Sequence, residues 1–263
     1  MTTMVRSEWR NGVATLTLDR SDALNALGEP LLKDLLAAWS ATCDDERTRA
    51  IVLTGAGRAF SAGGDVTWFG DVLAQGTSHA QAEVARFMED LGNPITQAIA
   101  DCRVPVVSAV NGACVGGAVG IALAADVVIA ARSAYFLVPQ VAALGAVPDL
   151  GATWLLPRAL GRSRALGMSL LGDRIDAEQA ERWGLVWRCV DDADLASQAQ
   201  SIAERLGNSP AAAVRDTRRL IDAAADNTLA DQLADERSAQ RAHVGSEFFK
   251  NACMRFRARS QRD

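Results

Sequence analysis

The chain is poor in the residues that most often do chemistry unaided. Its 263 residues include two histidines, His79 and His243, one tyrosine and five cysteines. Neither histidine has a local carboxylate partner in the sequence, and Gly167-Met-Ser169-Leu-Leu-Gly172 misses the GxSxG spacing of a nucleophile elbow. A serine-type triad is therefore weakly supported. Cys43, Cys102, Cys114, Cys189 and Cys253 are odd in number and widely spaced, without a CxxC pair. That pattern argues against a disulfide framework and a zinc cluster and suits buried thiols in a reducing cytoplasm. No GxxxxGK[ST] loop is present, which speaks against a nucleoside triphosphatase. A basic excess is missing too: 27 Lys and Arg stand against 32 Asp and Glu, for a net charge of -5. A nucleic-acid binder would carry a basic face. Only the end of the chain is locally basic, at Arg255, Arg257, Arg259 and Arg262, and it reads as a solvated terminus. The longest apolar stretch, around Ala118 to Ala131, is interrupted by Asp126 and too short to span a bilayer. Met1-Thr-Thr-Met-Val-Arg-Ser lacks the apolar core of a signal peptide. The expectation is a cytoplasmic protein with no nucleic-acid or membrane partner.

What is present is an ordinary globular composition, 49% hydrophobic and 22% charged. A chain of this length buries roughly three quarters of its unfolded surface and needs no staple. Gly12 to Leu18 alternates with the period of a half-buried strand, and Glu29 to Cys43 carries Leu and Ala at helical spacing with Pro30 in its first turn. Strands follow at Ala50–Thr54, Val106–Val110 and Val127–Ala130. The polar stretch from Asp71 to Gln81, broken by Gly76, reads as a loop before a helix over 82–101. From Gly151 onward the pattern is helical, with amphipathic segments at 211–225 and 229–242. These features predict an α/β body over residues 1–200 and a helical region over 201–263 for packing and oligomer contacts.

Two glycine-rich segments carry the chemistry: Phe60-Ser-Ala-Gly63-Gly64-Asp65 and Asn111-Gly-Ala-Cys-Val-Gly116-Gly117. Each follows a strand and leads into a helix. Glycine there leaves the backbone N–H uncovered, and two such loops converging on one oxygen would stabilise an enolate or oxyanion. Thr54-Gly-Ala-Gly57-Arg-Ala-Phe60 starts like a dinucleotide fingerprint, but Phe60 occupies the third glycine position, where close helix–strand packing needs a small residue. A nicotinamide site is therefore disfavoured.

Taken with Leu24-Asn-Ala-Leu27 and Pro148-Asp149-Leu-Gly151 through Arg164, these loops resemble the crotonase, or enoyl-CoA hydratase/isomerase, superfamily. The resemblance spans nearly the whole chain. It implies a spiral of ββα units with a C-terminal helical region, assembled as a homotrimer or dimer of trimers, and an acyl-CoA substrate. It also implies that the Gly64 and Gly117 N–H groups hold a thioester enolate. Leu24, Ala26, Ala62, Asp65 and Val66 would contact the CoA moiety, which is part of the substrate; no separate cofactor and no metal is expected. Hydratases of the superfamily use two glutamates, whose positions here read Gly120 and Gln140. Neither can act as a general base. One carboxylate remains nearby, Asp149, in a Pro-Asp-x-Gly element that resembles the ring-1,2-epoxyphenylacetyl-CoA isomerase branch. Those enzymes convert the epoxide to an oxepin-CoA and shift double bonds in 3-enoyl-CoAs. On spacing alone Asp149 could equally cap the following helix. As a base it needs a raised pKa, and Ala142, Ala143, Leu144, Val147, Leu150 and Trp154 are the apolar neighbours expected to raise it. Two other readings stay open: a 4-halobenzoyl-CoA dehalogenase relative with Asp149 as nucleophile, His79 helping and Trp154 beside the ring, and a non-catalytic CoA-thioester-binding protein. Trp68, Phe69, Val72, Leu73, Phe87 and Leu91 line an acyl pocket or belong to the core.

Overall fold

A computed structural model describes residues 3–260, so Arg262 of the basic terminus lies outside the described residues. The chain forms two compact units, residues 1–207 and 208–263. The position expected for their boundary, residue 200, falls inside a helix, Leu195–Gly207.

The first unit opens with strands β1 (Val5–Arg10) and β2 (Val13–Leu18), an antiparallel hairpin, followed by helix α1 (Glu29–Asp44). Then come β3 (Ala50–Gly55), β4 (Ala59–Ser61), α2 (Val66–Ala74), α3 (Thr77–Phe87) and α4 (Asn93–Ala100), the last two joined by a π-helical turn, Met88–Gly92. A second round gives β5 (Val106–Val110), β6 (Ala113–Val115) and α5 (Gly117–Leu123). A third gives β7 (Val127–Ala131), β8 (Tyr135–Leu137), a π-helical turn at Gln140–Leu144 and α6 (Ala152–Leu171). The unit closes with β9 (Ile175–Asp176), α7 (Ala177–Trp183), β10 (Arg188–Val190) and α8 (Leu195–Gly207).

Each round contributes one strand to each of two sheets. The larger sheet runs β1-β2-β3-β5-β7-β10 and the smaller β4-β6-β8-β9. Beyond the β1–β2 hairpin the large sheet is parallel, with β2, β3, β5, β7 and β10 in register. This is the expected spiral of ββα units. β5 is buried along its whole length, as the strands of a parallel sheet covered on both faces must be. Its side chains join Leu31, Leu32 and Leu35 of α1 and Ile95 and Ile99 of α4 in one continuous core. Asn111 ties the corner between the sheets: its Oδ1 accepts from the Gly55 N–H at 3.1 Å and its Nδ2 donates to the Gly57 and Ala59 carbonyls.

The region 71–81 is not a loop. It is the end of α2 and the start of α3, separated at Gly76, whose φ of +110° breaks the helix. Composition misled because the signal for α2 lies outside that window, in Asp65: its carboxylate accepts from the Thr67 and Trp68 N–H groups as an N-cap.

The second unit holds α9 (Ala211–Ala223), α10 (Leu229–Val244) and α11 (Glu247–Ser260). Within it Thr228 caps α10, and Gln232 donates to the Leu220 carbonyl at 3.0 Å. His243 is not without a carboxylate: its Nε2 lies 2.8 Å from Asp216 Oδ2, an approach across 27 residues that local sequence could not show. Among the described residues no helix is long and apolar enough to cross a membrane.

Candidate active site

The two glycine loops meet. A Cβ placed on Gly63 would come within 2.6 Å of the Val115 carbonyl, and one on Gly116 would lie 3.9 Å from Gly63 Cα. Gly64 is held in line by a strand-like bridge: Leu27 N–H donates to the Gly63 carbonyl at 2.7 Å and Asp65 N–H to the Leu27 carbonyl at 3.3 Å. Those bonds use the groups on either side of Gly64 and leave its own N–H pointing elsewhere. Gly117 is the first residue of α5, where N–H groups have no acceptor within the helix. Among the described residues neither N–H donates to a turn or loop carbonyl.

Asp149 stands beside Gly117. A Cβ on Gly117 would come within 2.9 Å of Asp149 Oδ1 and 2.8 Å of Leu150 Cδ1, so only glycine leaves room for the carboxylate there. The carboxylate is not a helix cap. Gly151 holds the N-cap position of α6 without a side-chain bond, and Asp149 contributes only its carbonyl, to Ala152 N–H at 2.9 Å. Its one side-chain partner is Gln140, whose Nε2 lies 3.3 Å from Oδ1. Burial pushes its pKa above the ordinary carboxylate value, and the Gln140 donor and its own backbone N–H offset this only in part.

The apolar setting was expected from the wrong residues. Ala142, Ala143, Leu144, Val147 and Trp154 are exposed on this chain; only Leu150, at 4% exposure, packs. Leu150 is wedged between Gly92 and Gly117, with a Cβ on Gly92 coming within 2.5 Å of its Cδ2. It holds a left-handed φ of +47°, and its carbonyl accepts from Thr96 Oγ1 at 3.3 Å. Burying a leucine gains roughly 1.5–3 kcal/mol. That is enough to offset the ~1–2 kcal/mol of the left-handed backbone. The turn that presents Asp149 is thus kept in a strained form by the side chain next to it.

The two positions where the superfamily's hydratases carry glutamates differ in kind. Position 120 has no space for any side chain: a Cβ on Gly120 would collide with the Leu150 carbonyl and come within 3.1 Å of Ala152 N. The 149–151 turn fills that volume with backbone. Position 140 keeps the shape of a glutamate but not its charge. Gln140 is 7% exposed, and its Oε1 is buried without a hydrogen-bond partner.

The residues expected to contact CoA are brought together around Gly64. Ala62 N–H donates to the Leu24 carbonyl at 2.9 Å, joining the 24–26 turn to the first glycine loop. Ala26 is buried, and Val66, at 78% exposure, opens α2 on the surface. The Asp65 carboxylate is committed to the fold: besides capping α2 it pairs with Arg20 at 2.6 Å. Sequence reasoning missed Asn25. It is fully buried in a left-handed conformation, φ +56°, accepts from Arg20 N–H, and donates to the Ala56 and Ala59 carbonyls, fixing the turn between Leu24 and Ala26. A lone asparagine between apolar residues was the available signal. Of the acyl-pocket candidates, Val72, Phe87 and Leu91 are buried and Leu73 is exposed, while Phe69 lies directly on the first loop: a Cβ on Gly64 would come within 2.6 Å of its ring. Trp68 stacks between Phe69 and Phe87, 5.0 Å from each. His79 sits on α3, and Trp154 lies under the Arg158 guanidinium at 3.6 Å.

Comparison with known proteins gives the same answer as the spiral and the paired loops. Residues 8–262 match the family model described as Enoyl-CoA hydratase/isomerase. The chain belongs to the enoyl-CoA hydratase/isomerase family. Within that family it is 38% identical over 259 residues to 1,2-epoxyphenylacetyl-CoA isomerase of Escherichia coli strain K12, covering 98% of this chain and 97% of that one. It is 41% identical over 236 residues to a protein of Rhodobacter capsulatus named as a probable enoyl-CoA hydratase, covering 90% and 88%. Among solved structures, one from Mycobacterium abscessus described as an enoyl-CoA hydratase/isomerase superposes with a TM-score of 0.90 at 38% identity, covering 97% of this chain and 96% of that one. Relatives named for isomerase and for hydratase activity are both similar, so the reaction has to be argued from the site.

Proposed function

We propose that this family member is an acyl-CoA isomerase that works with one carboxylate. The observation that carries the reading is Asp149: free of any helix cap, half-buried and beside Gly117, with backbone filling position 120 and an amide at 140. Asp149 takes a proton from C2 of the acyl chain. The electron pair moves into the thioester and is held as an enolate oxygen by the Gly64 and Gly117 N–H groups. For a 3-enoyl-CoA, the same carboxyl group then returns the proton to C4, leaving the double bond between C2 and C3. Atoms and charge balance without an added cofactor or metal, coenzyme A being part of the substrate. A pKa raised toward the working pH makes Asp149 a better base than a free aspartate. Leu24, Ala26, Ala62, Asp65 and Val66 would hold the CoA moiety, the Asp65 carboxylate serving there by fixing the start of α2 through its cap and its pair with Arg20. Ring-1,2-epoxyphenylacetyl-CoA, converted to an oxepin-CoA, is the second substrate of this reading, supported by the 38% identity to the E. coli isomerase. Self-association as a homotrimer or dimer of trimers is supported by exposed Leu170, Leu171 and Trp187 on the first unit.

The test is conversion of 3-hexenoyl-CoA to 2-hexenoyl-CoA by wild-type protein and by Asp149→Asn, with hydration of the product followed in the same reaction. Wild-type turnover with little hydration, and a loss of about 10²–10⁴ in the variant, is the expected result. An Asp149→Asn protein that turns over like wild type would remove Asp149 from the mechanism. Thioester binding without turnover by wild type would favour the non-catalytic reading.

A further inference from the structure

Among the described residues the buried Gln140 is the side chain that hydrogen-bonds Asp149, and the proton transfer itself gives it no task. Its amide carries a donor and an acceptor side by side. The donor, Nε2, lies 3.3 Å from Asp149 Oδ1 and would lie 3.4 Å from a Cβ on Gly116, between the carboxylate and the second glycine loop. The acceptor, Oε1, is buried and unpartnered. A buried unpaired carbonyl costs about 1–3 kcal/mol, a penalty that a purely structural glutamine would be expected to avoid.

Resting on the one-carboxylate reading, we infer that Gln140 is a positioning residue that serves both protonation states of Asp149, with Nε2 donating to the carboxylate and Oε1 accepting from the carboxylic acid once the proton has moved. Rotation about the terminal side-chain bond exchanges the two ends of the amide, so one residue satisfies base and acid in turn. A glutamate at this position would place a second negative charge against the first and compete for the same proton. A methionine would fill the volume with neither donor nor acceptor.

Among the described residues no ion pair or charged hydrogen-bond partner reaches the Asp149 carboxylate. Helix α5 and the 140–144 turn carry no titratable side chain, Glu89 and Asp90 of the 88–92 turn are exposed, and Arg158 of α6 lies over Trp154. The influences on the Asp149 carboxyl are burial, Gln140 and its own N–H. Removing the Gln140 donor leaves burial less opposed, so the base becomes protonated at higher pH.

The experiment is the pH profile of kcat/KM for 3-hexenoyl-CoA isomerisation by wild type, Gln140→Met and Gln140→Glu, with melting temperatures alongside. The expected result is an acid limb moved upward by about one pH unit in Gln140→Met and farther in Gln140→Glu. In Gln140→Met, kcat should fall about tenfold with KM little changed. Acid limbs that coincide with wild type in both variants, whatever the melting temperatures do, would overturn the inference. Failure of the underlying reading shows separately, as an Asp149→Asn protein that still isomerises.

Discussion

Gly64 and Gly117 stand at matching places, each the second glycine of a pair between a strand and a helix, yet their surroundings differ. At Gly64 an added methyl group would meet the edge of the Phe69 ring, a side chain that can turn aside. At Gly117 it would meet Asp149 Oδ1 and the Leu150 wedge, which are fixed by the strained turn. The helix after Gly64 is capped by a carboxylate, whereas the helix after Gly117 has no side-chain cap and meets its carboxylate from across the fold. Gly64 is thus built into the loop that joins the 24–26 turn, and Gly117 into the contact with Asp149 and Leu150. If the two N–H groups serve one oxygen as proposed, they are supported by different parts of the molecule and should fail in different ways.

The largest effect is expected from Gly117→Ala, which strikes the proposed donor and the proposed base together. A loss of about 10³ in kcat is expected, measured on 3-hexenoyl-CoA. Equal losses from Gly117→Ala and Gly64→Ala would break the comparison. Next comes Gly120→Glu, which drives a side chain into the Leu150 carbonyl: isomerisation should fall about 10²-fold as the Asp149 turn is displaced, a shift of the kind misplacement produces. Hydration should not appear, and its appearance would show that the 149–151 turn can vacate position 120.

Gly64→Ala alone should cost about 10² in kcat. Phe69→Ala in the same protein should restore roughly tenfold by opening the space the methyl group needs. No relief would mean that the Gly64 backbone itself, rather than the ring, sets the fit. Asp65→Ala should lower unfolding free energy by about 1–2 kcal/mol in denaturant titration, through the lost cap of α2. At Asp65 burial raises the pKa, but the Arg20 pair and the Trp68 and Thr67 N–H groups outweigh it and hold the carboxyl below its ordinary value. Its contribution is therefore present above the unfolded pKa and is lost as pH falls through the folded one.

Asp149 has the opposite sign. Its folded pKa is raised, so its contribution to stability is present below the unfolded pKa and is lost as pH rises through the folded value. Asp149→Asn should therefore melt above wild type at neutral pH, with the gap closing on acidification, although it is the variant expected to lose isomerisation. A gap that widens on acidification would contradict the burial argument.

Much of the fold was legible in the chain. The period-two run at 12–18, the leucine spacing of α1 and the apolar strands at 50–54, 106–110 and 127–130 all carry their own signals, because each buries a face whose pattern is local. The short strands of the second sheet, β4, β6 and β8, did not stand out, since three residues hold too little periodicity to read. The polar stretch at 71–81 misled for a related reason: the cap that starts its helix lies several residues upstream.

At the site, sequence determined which groups exist: paired glycines after strands, one aspartate before a glycine, no glutamate at 120 or 140, and an asparagine inside the 24–26 turn. Those identities follow from the chain because a missing carboxylate stays missing in any fold. Only the tertiary structure decided what each group touches. It showed that Asp149 is no cap, that Gly120 is closed by the backbone of the turn that carries Asp149, that Leu150 is buried while five of the expected neighbours are exposed, and that Gln140 reaches the carboxylate. The contacts Gln140–Asp149, Gly120–Leu150 and Gly92–Leu150 join residues 9, 30 and 58 positions apart, set by how three ββα rounds stack, and no local pattern encodes such distances.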